Sequence, residues 1–254
     1  MSHSTSSPIR PARDADLPFI ERWLEDQKQS EETLAVNWNL TKNVYAESGM
    51  LVYAHEETDQ AIAYFWGSLN DPSSILEVKA THRNSGVGSR FVRHLVEHSC
   101  AINEPLLLIE CTPVSSEGFW QRMGFTTFET WEKVYGSRTI KLTRELPRGG
   151  TPVEVIVRFL SEDSKYNGAP PLAQHILNAV KVQDGSIYLD QRLAHHHPDL
   201  IGGEGDLFIE IEIDGSSLTA YSGKCKHESS KNIGVEQCKN GFAVERIFLN
   251  ATAS

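Results

Sequence analysis

Arg83-Asn84-Ser85-Gly86-Val87-Gly88 joins two stretches of different period. Ahead of it, Ile75-Leu76-Glu77-Val78-Lys79-Ala80 reads as a strand, and behind it Ser89 to His98 carries Phe91, Val92, Leu95 and Val96 at helical spacing. The order is strand, glycine turn, helix. A helix start has unpaired amides, its dipole favours negative charge, and glycines let a ligand approach the backbone, so this turn suits phosphate oxygens. Two glycines alone are weak evidence, since a tight connection without a ligand would look the same. Neither a G-x-x-x-x-G-K-[ST] loop nor a third glycine at the dinucleotide-fold spacing is present.

A second segment raises the signal. Pro105 to Thr112 is an apolar strand interrupted by Glu110, and it leads into Ser115-Ser116-Glu117-Gly118-Phe119-Trp120-Gln121-Arg122-Met123-Gly124-Phe125. Val78 stands five positions before Arg83, and Trp120 precedes Gly124-Phe125 by three intervening residues. With these two blocks in this order, residues 8–146 resemble the GNAT superfamily of acetyl-CoA-dependent N-acetyltransferases.

The resemblance implies a mixed α/β fold whose central sheet splays between the strands at 75–80 and 106–111. Acetyl-CoA would lie in the gap, with its pantetheine arm along Val78, Lys79 and Ala80. Its pyrophosphate would rest on the turn formed by Arg83, Asn84, Ser85, Gly86, Val87, Gly88 and Ser89. The Val78 amide would donate to the thioester oxygen as charge develops there. Ser116 and Trp120 would border the cofactor; Trp120 occupies the place where many members carry a tyrosine acid. An indole cannot supply that proton, and Ser115 or Ser116 can donate through water or cap the following helix. The implied activity is direct acetyl transfer to a primary amine. A non-catalytic acetyl-CoA-binding protein is the alternative.

The amine must lose a proton to attack. A lysine-like amine is neutral about once in 2,500 at pH 7, a cost of about 4.6 kcal/mol. A carboxylate at the gap can remove that proton, and Glu77 and Glu110 each interrupt an otherwise apolar strand there. The alternative for either is an exposed edge position or a pairing with Lys79 or an arginine. Cys111 lacks an evident histidine partner, which disfavours an acyl-thiol route.

Charge bears on partners. The 254 residues carry a formal net charge of −10, with 14 Lys+Arg against 20 Asp+Glu in residues 1–146 and 10 against 14 in residues 147–254. Neither part offers the clustered positive charge that nucleic-acid binding rests on, and an acidic surface favours a cationic amine. No apolar run approaches the roughly 20 residues of a membrane span, and Met1 to Pro8 has no leader-like core, so the expectation is a cytoplasmic protein without a membrane partner. Cys100, Cys111, Cys225 and Cys238 are expected as thiols, and Cys225-x-His227 with Cys238 fits no standard zinc spacing, so no metal is expected.

The chain divides at Pro147-Arg148-Gly149-Gly150-Thr151-Pro152. Residues 1–146 form the acetyl-CoA-binding part, 147–152 a linker, and 153–254 a smaller α+β module that shapes the acceptor site or mediates assembly, a homodimer included. Helices are expected near Asp16 to Leu24 and within 31–48, with hairpins joining 50–55 to 61–68 and 125–134 to 138–142. In the module, Leu172, Ile176, Leu177 and Val180 suggest a helix over 171–182. The alternating strand Asp206 to Ile213 would pack on it and leave Glu210 and Glu212 wet. His195-His196-His197 reads as an exposed polar turn.

Overall fold

The computed structural model describes residues 7–28, 37–130, 132–221 and 227–249. The first half runs β1 (Ile9–Pro11), α1 (Asp16–Lys28), α2 (Trp38–Ser48), β2 (Leu51–Ala54), β3 (Ala61–Trp66), β4 (Ile75–Val78), α3 (Val87–Ala101), β5 (Leu106–Glu110), α4 (Glu117–Arg122), β6 (Thr126–Thr130) and β7 (Lys133–Thr139). It then continues through β8 (Leu142–Thr143), β9 (Thr151–Leu160), α5 (Glu162–Tyr166), β10 (Ala173–Lys181), β11 (Ser186–His196), β12 (Phe208–Ile213), β13 (Ser216–Tyr221), α6 (His227–Asn232), β14 (Val235–Cys238) and β15 (Gly241–Phe248).

The first half contains two antiparallel sheets, ordered β1-β2-β3-β4 and β5-β7-β6. Helices cover both faces of β3, which is why Ala61 to Trp66 is an unbroken buried apolar run. On one face Ile20, Trp23 and Leu24 of α1 and Trp38 of α2 pack with Tyr64 and Trp66. On the other, Phe91, Val92 and Leu95 of α3 pack with Phe65, Leu107 and Ile109. Phe91 is fully buried, and truncating it to alanine would cost about 3–5 kcal/mol.

The second half is built on one eight-stranded antiparallel sheet ordered β13-β12-β9-β10-β11-β15-β14, with β8 paired to β11. Residues 171–182 are not a helix. Ala173 to Lys181 pairs with Phe159 to Thr151 over nine residues, and Leu177 and Ala179 point inward while Ile176 stays exposed. The apolar spacing fits a helix by coincidence, and the strand partner decides. The inward face of β12 accordingly packs in a core of strands, with Val157, Phe159, Leu177 and Leu189. Asp214 and Gly215 turn β12 into β13, both at positive φ (49° and 78°). α6 touches β13 and β14, so it bridges the two edges of the sheet.

Three further expectations are corrected. β6 ends at Thr130 and β7 starts at Lys133, with Glu132 at φ 62°, so Tyr135-Gly136-Ser137 lies inside β7. Gly136 is glycine for packing, because a Cβ there would meet Ile109 Cδ1 at 3.0 Å and Phe125 Cβ at 3.2 Å. Thr151 and Pro152, expected in the linker, open β9. His195 and His196 end β11 as partly buried and buried residues. Positions 31–36 and Cys225 lie outside the described residues.

Candidate active site

β4 ends one sheet and β5 ends the other, and the two do not pair. Their edges are readable from register. Lys79 N–H donates to Ile62 O at 2.9 Å, so in this antiparallel ladder residues 75, 77 and 79 face β3, while the amides of Leu76 and Val78 face the gap. Cys111 N–H donates to Val134 O at 2.8 Å, which likewise turns Leu106, Leu108 and Glu110 to the gap. At the closed end Leu108 N–H donates to Leu69 O at 2.8 Å. Beyond that bond the strands part around a cleft of about 790 Å³.

The turn before α3 opens into the same cleft. Gly86 adopts φ 84° at the helix N-cap and Asn84 φ 60°, which fold the chain back and leave the first amides of α3 without intrahelical acceptors. Gly88 has a packing reason too: a Cβ there would sit 3.4 Å from the Phe119 ring and 3.6 Å from Val78. Arg83 donates to Val78 O at 3.1 Å and to Glu77 Oε1 at 3.0 Å, tying the turn to the strand.

Of the residues expected at the cofactor, Val78, Arg83, Asn84, Gly86, Gly88, Ser89, Ser116 and Trp120 line the cleft. Lys79 and Ala80 spend their amides on Ile62 O and Gln27 Oε1, so these donors are engaged away from the gap. The Val87 side chain is buried in the core, and Ser85 Oγ donates to His82 O at 2.6 Å.

Both expected carboxylates also line the cleft. Leu76 and Val78 pack with α3, whereas Ile75 packs with α1 and α2, so alternation places Glu77 on the α1/α2 face. The same alternation puts Glu110 opposite Leu107 and Ile109, on that face as well. Glu77 is nearly buried and ion-paired with Arg83. Glu110 accepts from Lys133 Nζ at 2.9 Å and Thr112 Oγ1 at 2.8 Å and keeps contact with solvent.

The α4 side supplies the remaining groups. Trp120 is buried between Phe119 and Phe125, ring centroids 5.1 and 5.2 Å away. Ser116 precedes α4 but makes no capping bond; its Oγ is buried without a hydrogen-bond partner among the described residues. Burial, with Glu117 and Glu110 nearby, pushes the Cys111 thiol up to about 11, which leaves it protonated and a poor nucleophile. The sequence did not point to Asn37, Leu40, Pro72, Ser73 or Arg122, which also line the cleft. Only the Asp71-Pro72 turn pair carried a local signal, and it marks a loop rather than a site.

No family model matches the chain, and no curated protein matches it by sequence. Among solved structures it is similar to a GNAT-family acetyltransferase from Staphylococcus aureus Mu50 (11% identity, 52% of this chain and 98% of that one, TM-score 0.42). It is also similar to a ribosomal-protein-alanine N-acetyltransferase from Brucella melitensis (17% identity, 52% and 99%, TM-score 0.39). A third is N-acetylglutamate synthase from Neisseria gonorrhoeae, complexed with coenzyme A and N-acetyl-glutamate (14% identity, 52% and 34%, TM-score 0.39). Element order and the parting of β4 from β5 give the first half the mixed α/β fold with a splayed central sheet that the resemblance implied.

Proposed function

We propose that the chain is an N-acetyltransferase that moves acetyl from acetyl-CoA to a primary amine by direct transfer. The observation that carries this reading is one cleft with three openings onto the backbone: the outward amides of β4, the outward edge of β5 and the glycine turn of α3. An acyl thioester on a pyrophosphate carrier matches that arrangement. Pyrophosphate suits the amides at 87–89, and the pantetheine arm, which is rich in amides, suits two parted strand edges.

In this reading Val78 N–H is aimed at the thioester oxygen, where a placed donor is worth about 3–4 kcal/mol. Glu110 takes the amine proton. Its contact with solvent lets the proton leave, and its partner Lys133 is exposed, so the pair is weakly held. Glu77 anchors Arg83 and is the second candidate base. Ser116, which lines the cleft, supplies a hydroxyl that can donate to the departing thiolate. Without any acid the thiolate leaves at a cost of about 2 kcal/mol, so Trp120 does not forbid turnover.

Two carboxylates on one face of the cleft favour a cationic acceptor. Glu210 and Glu212 add little to that field, because both pair with Arg158 at 2.9 Å and Glu210 also pairs with Lys165 at 3.8 Å. The deciding experiment is mass spectrometry of products after incubating the chain with acetyl-CoA and a panel of polyamines, amino acids and peptide amines. An acetylated amine is expected. Binding of acetyl-CoA with no product from any amine would favour the non-catalytic reading, which Trp120 keeps in view.

A further inference from the structure

The turn between β14 and β15, Lys239-Asn240, reaches across to the first half of the chain. The buried Asn240 side-chain nitrogen donates to two carbonyls at once, Asn70 O at 2.9 Å and Leu106 O at 3.2 Å. Those carbonyls belong to opposite arms of the splay. Asn70 lies in the loop from β3 to β4, and Leu106 begins β5 with its backbone facing the gap. The site is beside the Leu69–Leu108 bond, where the arms last touch. Only the amide end of the side chain can donate, so the orientation is fixed by chemistry.

The surroundings hold Asn240 in place. Gly241 pairs with His196, and a Cβ on it would collide with His195 O. Asn240 O accepts from His197 N at 2.9 Å. Beside it, His196 Nε2 contacts Leu107 O at 2.9 Å, and Lys239 Nζ pairs with Asp71 Oδ2 at 2.8 Å. Residues 69 and 72–74 of the braced loop line the cleft.

We propose that Asn240 is a positioning residue that sets how far β4 and β5 part, and that bracing the closed end of the cleft is the task of the C-terminal sheet. This rests on the cleft holding acetyl-CoA as described above. A pin at the closed end governs the fit of the pantetheine arm between the strands. It leaves the turn of α3 untouched.

Two ligands separate these effects. Acetyl-CoA spans the turn and the gap, whereas adenosine 3′,5′-bisphosphate, the nucleotide end of coenzyme A, lacks the arm. Asn240→Asp replaces a double donor by an acceptor facing two carbonyl oxygens, and Asn240→Ser is the milder change. By calorimetry, acetyl-CoA affinity is expected to fall about tenfold or more in either variant, with the nucleotide unchanged within about twofold. Lys239→Ala, at an exposed ion pair, is expected to change neither. Unchanged acetyl-CoA affinity in a folded Asn240 variant overturns the proposal, as does equal loss for both ligands. If the unaltered protein binds neither ligand, it is the functional reading that fails. Should neither Asn240 variant fold, hydrogen exchange in the unaltered protein decides. A Leu108 amide as protected as the core before and after acetyl-CoA is added supports the pin, and one that opens on binding overturns it.

Discussion

The two halves of this chain treat strand edges in opposite ways. In the first half β4 and β5 end their sheets facing each other across a gap, and the amides of Leu76 and Val78 point into it. In the second, β12, β9, β10, β11 and β15 are paired on both sides, and α6 bridges the edges at β13 and β14. An unpaired backbone group that is not solvated costs about 1–3 kcal/mol, so an open edge is tolerable where a ligand or water completes it. The sheet that satisfies its own backbone is the natural brace for the one that does not.

The sharpest way to break this contrast is at the open side. Gly86→Asp keeps a residue tolerant of positive φ but places a carboxylate where phosphate must approach. Acetyl-CoA affinity should fall by about a hundredfold or more with little change in melting temperature. A folded variant with unaltered affinity by calorimetry would show that the open edge serves something else.

The brace can be loosened by acid. Burial is the chief reason the His196 imidazole is pushed down to about 4, outweighing its bond to Leu107 O, with His195 a further lowering influence. Its folded value is below the ordinary 6.5, so the unfolded chain binds the proton first as pH falls. The stabilisation is complete above pH 6.5 and is lost between about 6.5 and 4, amounting to about 3 kcal/mol. Urea titrations at steps across this window should show the decline, and His196→Gln, which can still donate, should flatten it.

Smaller effects are expected at the chemistry. Glu110→Gln should lower kcat/KM by about a hundredfold, most at low pH, with acetyl-CoA affinity kept. An unaltered pH–rate profile would pass the role to Glu77 or water. Ser116→Ala should cost about tenfold or less, a loss that shrinks with acyl donors whose thiols are more acidic. Smallest of all, Glu210→Gln with Glu212→Gln should leave the acceptor KM and its salt dependence unchanged, since Arg158 and Lys165 already neutralise that face. A rise in acceptor KM would show that the C-terminal sheet steers the acceptor.

The first half was legible in sequence because its signals are local. Phe91, Val92 and Leu95 declare α3 by spacing, and the glycines at 86 and 88 declare the turn. Gly136 misled because glycine serves packing as well as turning, and its reasons, Ile109 and Phe125, are remote in sequence. The strand at 173–181 is hidden because Leu172, Ile176, Leu177 and Val180 fall at helical spacing while the strand exposes Ile176, and only pairing with β9 decides. His196 and Asn240 left no local trace at all. The carbonyls they serve are 89, 170 and 134 residues away.

That last separation has a consequence for how the protein comes into being. A ribosome adds roughly 5–20 residues per second, so Leu106 waits on the order of 10 s for Asn240 to be made. During that interval the nascent first half has its turn and its helices but not the pin at the root of its cleft. The chain thus postpones the last setting of this gap until Asn240 has been translated, and a product truncated before it would carry the glycine turn without a calibrated gap beside it.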